Sequence, residues 1–211
     1  MENDRSILVR RAFLFGVPLL YVVLGLLHPN PDPGLGDPTR LFIGLHIAQL
    51  FLIGGLAYSL WLLVDGVDNR AARVARGLIL PYVITYSAFD AVAGIAMGSV
   101  VREANALPAA DQGAAGRLID ALRVETWDAY LFYVATALFW LAAALAVAIA
   151  LRKSAPRPAL VLMGLGAAVF AVAHPQPTGP VGMALFVAGV AWLELRPLRV
   201  KAPESVSVQP T

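Results

Sequence analysis

Three histidines occur in 211 residues, and two of them open the same four-residue pattern. His28-Pro29-Asn30-Pro31 follows one long apolar run, His174-Pro175-Gln176-Pro177 follows another, and His46 lies inside a third. Proline directly after a residue stops a helix, and a helix C-terminus favours a donor or cationic side chain. Helix termination accounts for the prolines but not for spending two of three imidazoles on the same position. Asp90 stands midway along a fourth apolar run, with Ser87 and Gly94 about one turn to either side. Imidazoles with a carboxylate are ligands for zinc and other divalent metals, and they equally hold and pass protons. The predicted metal ligands are His28, His46, His174 and Asp90, with Asp90 and Ser87 as the catalytic candidates. Gln49 shares a helical face with His46 at i+3, and with Glu125 and Asp128 it is expected to orient a substrate or support the ligands.

Composition says which elements must position these groups. Of the chain, 59% is hydrophobic and 14% charged, against about 25% charged in ordinary soluble domains. That deviation points to a membrane protein with the lipid bilayer as its first partner. The absence of cysteine removes disulfides, iron–sulfur clusters, thiolate metal sites and cysteine nucleophiles together. A net charge of +2, with basic residues scattered between apolar runs, gives no support to nucleic-acid binding. Arginine far outnumbers lysine (Lys153 and Lys201 are the only two) and alanine is abundant, a composition that suits a GC-rich bacterium and hence its inner (plasma) membrane.

A membrane-crossing helix needs about 20 mostly apolar residues. The predicted fold is all-α, an integral membrane bundle of six transmembrane helices over about 12–27, 41–64, 78–101, 129–151, 159–173 and 181–195. These form a single domain over 1–200, and the polar, proline-containing tail at 201–211 is expected to be disordered. The last two runs are short, so a re-entrant hairpin is an alternative for that pair. No small-x-small cleavage site precedes His28, so the first run is expected to stay as a helix. Twelve of the 16 basic residues fall in the N-terminus, loops two and four and the tail, which places both termini in the cytoplasm. Loop three, 102–128, is long. Asp111 near a helix start, followed by Leu118, Ile119 and Leu122 on one face, predicts a short amphipathic helix on the outer surface. Trp127, Tyr130 and Tyr133 then form an aromatic anchor.

A charge at bilayer depth costs roughly 2.5–3.5 kcal/mol even on a lenient scale, so Asp90 must face protein or water. Positions 87, 90, 94 and 98 share one face and read Ser, Asp, Gly, Gly, small enough to bring another helix close. Three functional readings follow. In the first, a divalent metal such as zinc activates water for hydrolysis of a lipid-like substrate. That constellation resembles, in outline, the intramembrane hydrolases of the ceramidase and adiponectin-receptor superfamily, which join three histidines to a serine and an aspartate. The chain lacks the paired His-x-x-x-His of their last helix and is one helix short, so no family is assigned. In the second, a small transporter or ligand-binding protein uses Asp90 and His46 as a proton or ligand site, and six short helices then favour a homodimer. In the third, the chain is an accessory subunit of a larger membrane complex. No phosphate-binding glycine loop, no Gly-x-Ser-x-Gly elbow and no His-Glu-x-x-His occurs.

Overall fold

A computed structural model describes residues 2–29, 34–125, 127–172 and 177–195, with backbone only at 2–5, 122–125 and 127–130. Seven helices run through the described residues, with no strand among them. Helix α1 covers 2–27, α2 Thr39–Leu63, α3 Arg70–Asn105, α4 Ala109–Glu125, α5 Trp127–Leu151, α6 Arg157–Val172 and α7 Thr178–Glu194. Within these, Ser6–Leu27, Thr39–Leu63, Arg70–Asn105 and Leu131–Leu151 are long and apolar enough to cross a membrane. The last two apolar runs fall short of that length, at 16 and 17 residues. At 1.5 Å per residue they reach about 24–26 Å, against a hydrocarbon core of about 30 Å. Large apolar side chains face outward along the bundle, Phe51 at 81% exposure among them, as a lipid-facing surface requires.

Two helices change pitch locally, and each change has a chemical cause or consequence. In α1 a π-helical segment, Ala12–Gly16, precedes Pro18. In that register the Phe13 carbonyl would accept from residue 18, and proline has no N–H to give. The Ser59 hydroxyl of α2 donates to Phe13 O at 2.7 Å instead, with Gly55 O 2.9 Å away. A neighbouring helix thereby satisfies a carbonyl freed by proline at bilayer depth. The second π-helical segment, Asp90–Ala96, begins at the buried aspartate itself.

Helix α3 starts at an Asn69 cap, whose side chain accepts from Ala72 N–H at 2.9 Å and donates to Ala150 O of α5 at 3.0 Å. Arg10 forms a forked pair with Glu194 (2.7 and 3.2 Å) and donates to Leu62 O at 2.8 Å. Arg76 donates to Val64 O and Val67 O. One end of the bundle therefore gathers the start of α1, the end of α2, the start of α3 and the ends of α5 and α7. At the other end Asn105 accepts from Gly36 N–H at 2.8 Å and donates to Asp37 O at 3.2 Å, tying the first loop to the end of α3.

Helices α6 and α7 touch backbone to backbone. A Cβ on Gly166 would stand 2.4 Å from Phe186 N and 2.6 Å from Gly182 O, and one on Gly182 would stand 2.4 Å from Phe170 N. Trp140, Phe170, Phe186, Met163 and Met183 fill the core beside them, and Trp140 Nε1 donates to Ala167 O at 3.0 Å.

The helix predicted in loop three forms as α4, but its buried face differs from the expected one. Ile119 is buried in a small cluster with Val101 and Ala104, whereas Leu118 is 58% exposed. The side chain of Leu122, like those of Trp127 and Tyr130, and the whole tail 201–211 lie outside what the structure describes.

Candidate functional site

Glycines on α3 decide where His46 sits. Gly94 and Gly98 press against α2, and a Cβ on Gly94 would lie 2.1 Å from His46 Cδ2. The ring occupies the space that a side chain would take. A Cβ on Gly98 would likewise meet Ile43 and Phe42. With α2 and α3 this close, His46 Nε2 stands 3.9 Å from Asp90 Oδ1, and both residues are buried.

His28 joins from the end of α1, its ring centroid 5.1 Å from that of His46 in an edge-to-face arrangement. Phe42 packs against both rings, at 4.3 Å from His46 and 5.6 Å from His28. His28 Nδ1 lies 2.8 Å from Pro29 O, and His46 Nδ1 lies 2.7 Å from Phe42 O. A carbonyl oxygen only accepts, so Nδ1 of each ring carries the proton and Nε2 of the neutral ring carries the lone pair. Burial lowers the His28 pKa, with the Pro29 carbonyl opposing, which favours the neutral ring.

The remaining predicted residues divide into three groups. Gln49 is buried on the His46 face of α2, and its Oε1 has no hydrogen-bond partner among the described residues. Ser87 is half-buried one turn from Asp90, whose two carboxyl oxygens have no hydrogen-bond partner among the described residues. His174 lies outside the described residues, and only the backbone is described at Glu125 and Asp128. Among the described residues no three His, Asp or Glu side chains stand together as a metal-holding group.

Sequence reasoning missed the tyrosines. Tyr82 and Tyr86 precede Asp90 at four-residue spacing on one face of α3, and all three are buried. Their rings are 5.7 Å apart, and Tyr21 of α1 lies 6.3 Å from Tyr86. Beside them a cleft of about 20 Å³ is lined by Tyr82, Tyr86, Tyr133, Thr136 and Trp140 among others, space for roughly one water. Tyr133 reaches across from α5, its ring tilted against that of Phe89 at 5.4 Å, and donates to the Val172 carbonyl that ends α6.

No known protein family, curated protein or solved structure matches the chain. The site is therefore read from its own atoms. Both Asp90 carboxyl oxygens, Gln49 Oε1, Tyr82 OH and Thr136 Oγ1 have no hydrogen-bond partner among the described residues. A buried polar group left dry costs about 1–3 kcal/mol, so this capacity fits a proton, a water or a cation.

Proposed function

We propose that this is a multipass membrane protein that takes up and releases a proton at the Asp90–His46 couple in the course of moving or binding a small solute. The observation that carries the reading is a row of buried proton-holding side chains, in which His46 Nε2 faces Asp90 Oδ1 at 3.9 Å. It runs from His28 at a helix end through His46 and Asp90 to Tyr86 and Tyr82. From residue 90 to 82 the row descends about 12 Å along α3 at 1.5 Å per residue. Ionisable groups inside a bilayer are expensive, and proton relays are among their established uses. The π-helical segment beginning at Asp90 fits the same reading, since such segments concentrate at functional sites.

The proposed topology is six crossings in a bacterial inner membrane with both termini cytoplasmic, α6 and α7 crossing where the bilayer thins. The pairing of Arg10 with Glu194 at one end of the bundle supports a shared side for the start of α1 and the end of α7. The collection there of Arg70, Arg73, Arg76, Arg152 and Lys153 supports a cytoplasmic location for that end, by the positive-inside rule.

Infrared difference spectroscopy of the purified protein across a pH titration tests the proton couple. A carboxylic-acid carbonyl band that titrates, shifts in deuterated water, disappears in Asp90→Asn and moves in His46→Ala is the expected result. A wild-type spectrum with no such titrating band overturns the reading.

A divalent metal at His28, His46 and Asp90 is the second reading, favoured by one observation. Each imidazole gives Nδ1–H to a carbonyl, which makes Nε2 the lone-pair nitrogen of the neutral ring, the tautomer usual for metal-ligating histidine. Tetrahedral zinc would bring two ligand atoms to about 3.4 Å from each other, so the 3.9 Å His46–Asp90 pair would close slightly and His28, which does not stand with them as a ready metal-holding group, would have to move in. His174 is the candidate to complete the set, and the bound metal would then activate water for hydrolysis of a lipid-like substrate. Elemental analysis separates the two readings: stoichiometric metal lost in His46→Ala supports this one, and metal-free protein removes it.

A further inference from the structure

Away from His28 and His46, at the end of the bundle where Arg10 meets Glu194, a groove of about 570 Å³ opens between α3 and α5. Its walls are Ala71 and Val74 of α3 and Ala146, Ile149 and Ala150 of α5, and its polar lining is Asn69, Arg70, Arg152 and Lys153. Val74 and Ile149 are about half exposed, so the apolar walls open outward onto the face that lipid tails would cover. No acidic side chain lines the groove. Among the described residues none of these three basic side chains is ion-paired, while nearby Arg73 is matched by Asp68 at 3.2 Å. The helix ends do not set the sign of the site. Helix α3 begins here and α5 ends here, so their dipoles oppose, and Asn69 ties the two backbones together. Net positive charge comes from the side chains alone.

We propose that this groove is a binding site for one anionic phospholipid, with its phosphate held by Arg70, Arg152 and Lys153 and an acyl chain laid along Val74, Ala146 and Ile149. Charge complementarity selects the head group, and the apolar wall rising from it selects a lipid over a soluble anion. A basic pocket between helices at a membrane surface suits this ligand, each basic residue adding about 1 kcal/mol of attraction. The inference stands apart from the proton couple, which involves none of these residues.

The test uses the full chain in nanodiscs containing equal parts phosphatidylglycerol and phosphatidylcholine, with co-purified lipid counted by native mass spectrometry after transfer to detergent. Wild-type protein is expected to retain phosphatidylglycerol in preference, and the preference should fall about fivefold for each charge removed in Arg70→Gln, Arg152→Gln and Lys153→Gln. Arg102→Gln, at the opposite end of α3, should leave it unchanged. Wild-type protein that retains the two lipids equally overturns the proposal, and that result does not depend on any variant folding. Preference undiminished in the triple variant, or lost equally in Arg102→Gln, also overturns it.

Discussion

His46 is held by its Nδ1–H on the Phe42 carbonyl, by edge contact with His28 and by the missing side chain of Gly94. The glycine is the most sensitive of these. In Gly94→Ala the new methyl would stand 2.1 Å from Cδ2, so the ring or the helix must move, at a cost of about 1–3 kcal/mol for overpacking. The expected outcome is that Gly94→Ala shifts the Asp90 carbonyl band as His46→Ala does, although neither titrating group has been removed. A band identical to wild type would show that the imidazole does not control the carboxyl. Asp90, His46 and Gln49 were legible from sequence because a polar residue in an apolar run has few reasons to be there. The tyrosines were not, since tyrosine is amphipathic and common where helices meet the membrane surface. The four-residue spacing of 82, 86 and 90 was the available signal, and it could be recognised only once Asp90 had been taken as the reference position.

Pro18 sets the problem that α1 and α2 solve together at the scale of elements. Its missing N–H leaves Phe13 O for the Ser59 hydroxyl, and interhelical hydrogen bonds of this kind average about 0.6 kcal/mol in membranes, with a maximum near 1.7. Ser59→Ala is expected to lower stability by about that amount in reversible unfolding from bilayer-like micelles. Pro18→Ala returns an N–H to the helix, so Ser59→Ala should cost less in that background. Additive effects in the double-mutant cycle would break the link between the two residues. At the α6–α7 contact, Gly166→Leu drives a side chain into Phe186 N and Gly182 O, and because backbone cannot step aside, misassembly into the membrane is expected. Stable, wild-type-like protein would contradict the backbone contact. Helix positions could be read from apolar run lengths, and most run limits agree with the helices within a few residues. What could not be read depends on the partner: which glycines meet backbone, where a helix widens into π geometry, and which face of α4 is covered. Leu118 and Ile119 are equally apolar, and only the end of α3, with Val101 and Ala104, selects Ile119.

For the molecule as a whole, the decisive quantity is the number of crossings, and the two short helices carry it. Tyr133 bonds the last carbonyl of α6 from a position six residues after the start of α5, about 9 Å along that helix. Val172, the last residue of α6, is therefore recessed from the start of α5, and in the proposed six-span arrangement the turn after it would meet a locally thinned surface within reach of helices of 16 and 17 residues. A re-entrant hairpin would bury the same turn in mid-bilayer. The chain contains no cysteine, so single cysteines report accessibility to a membrane-impermeant maleimide without background. Glu103→Cys is expected to label in intact cells and Ser154→Cys only after permeabilisation, because α5 lies between them. Pro177→Cys, at the turn, should label from outside, more slowly than position 103 because it is recessed. Labelling of 103 and 154 from the same side would remove the crossing by α5 and with it the six-span arrangement. A Pro177→Cys protein that labels from neither side would reduce the count to four and turn α6 and α7 into a hairpin. The positive-inside assignment would survive that result, because the Arg10–Glu194 pair keeps the end of α7 on the same side in either topology.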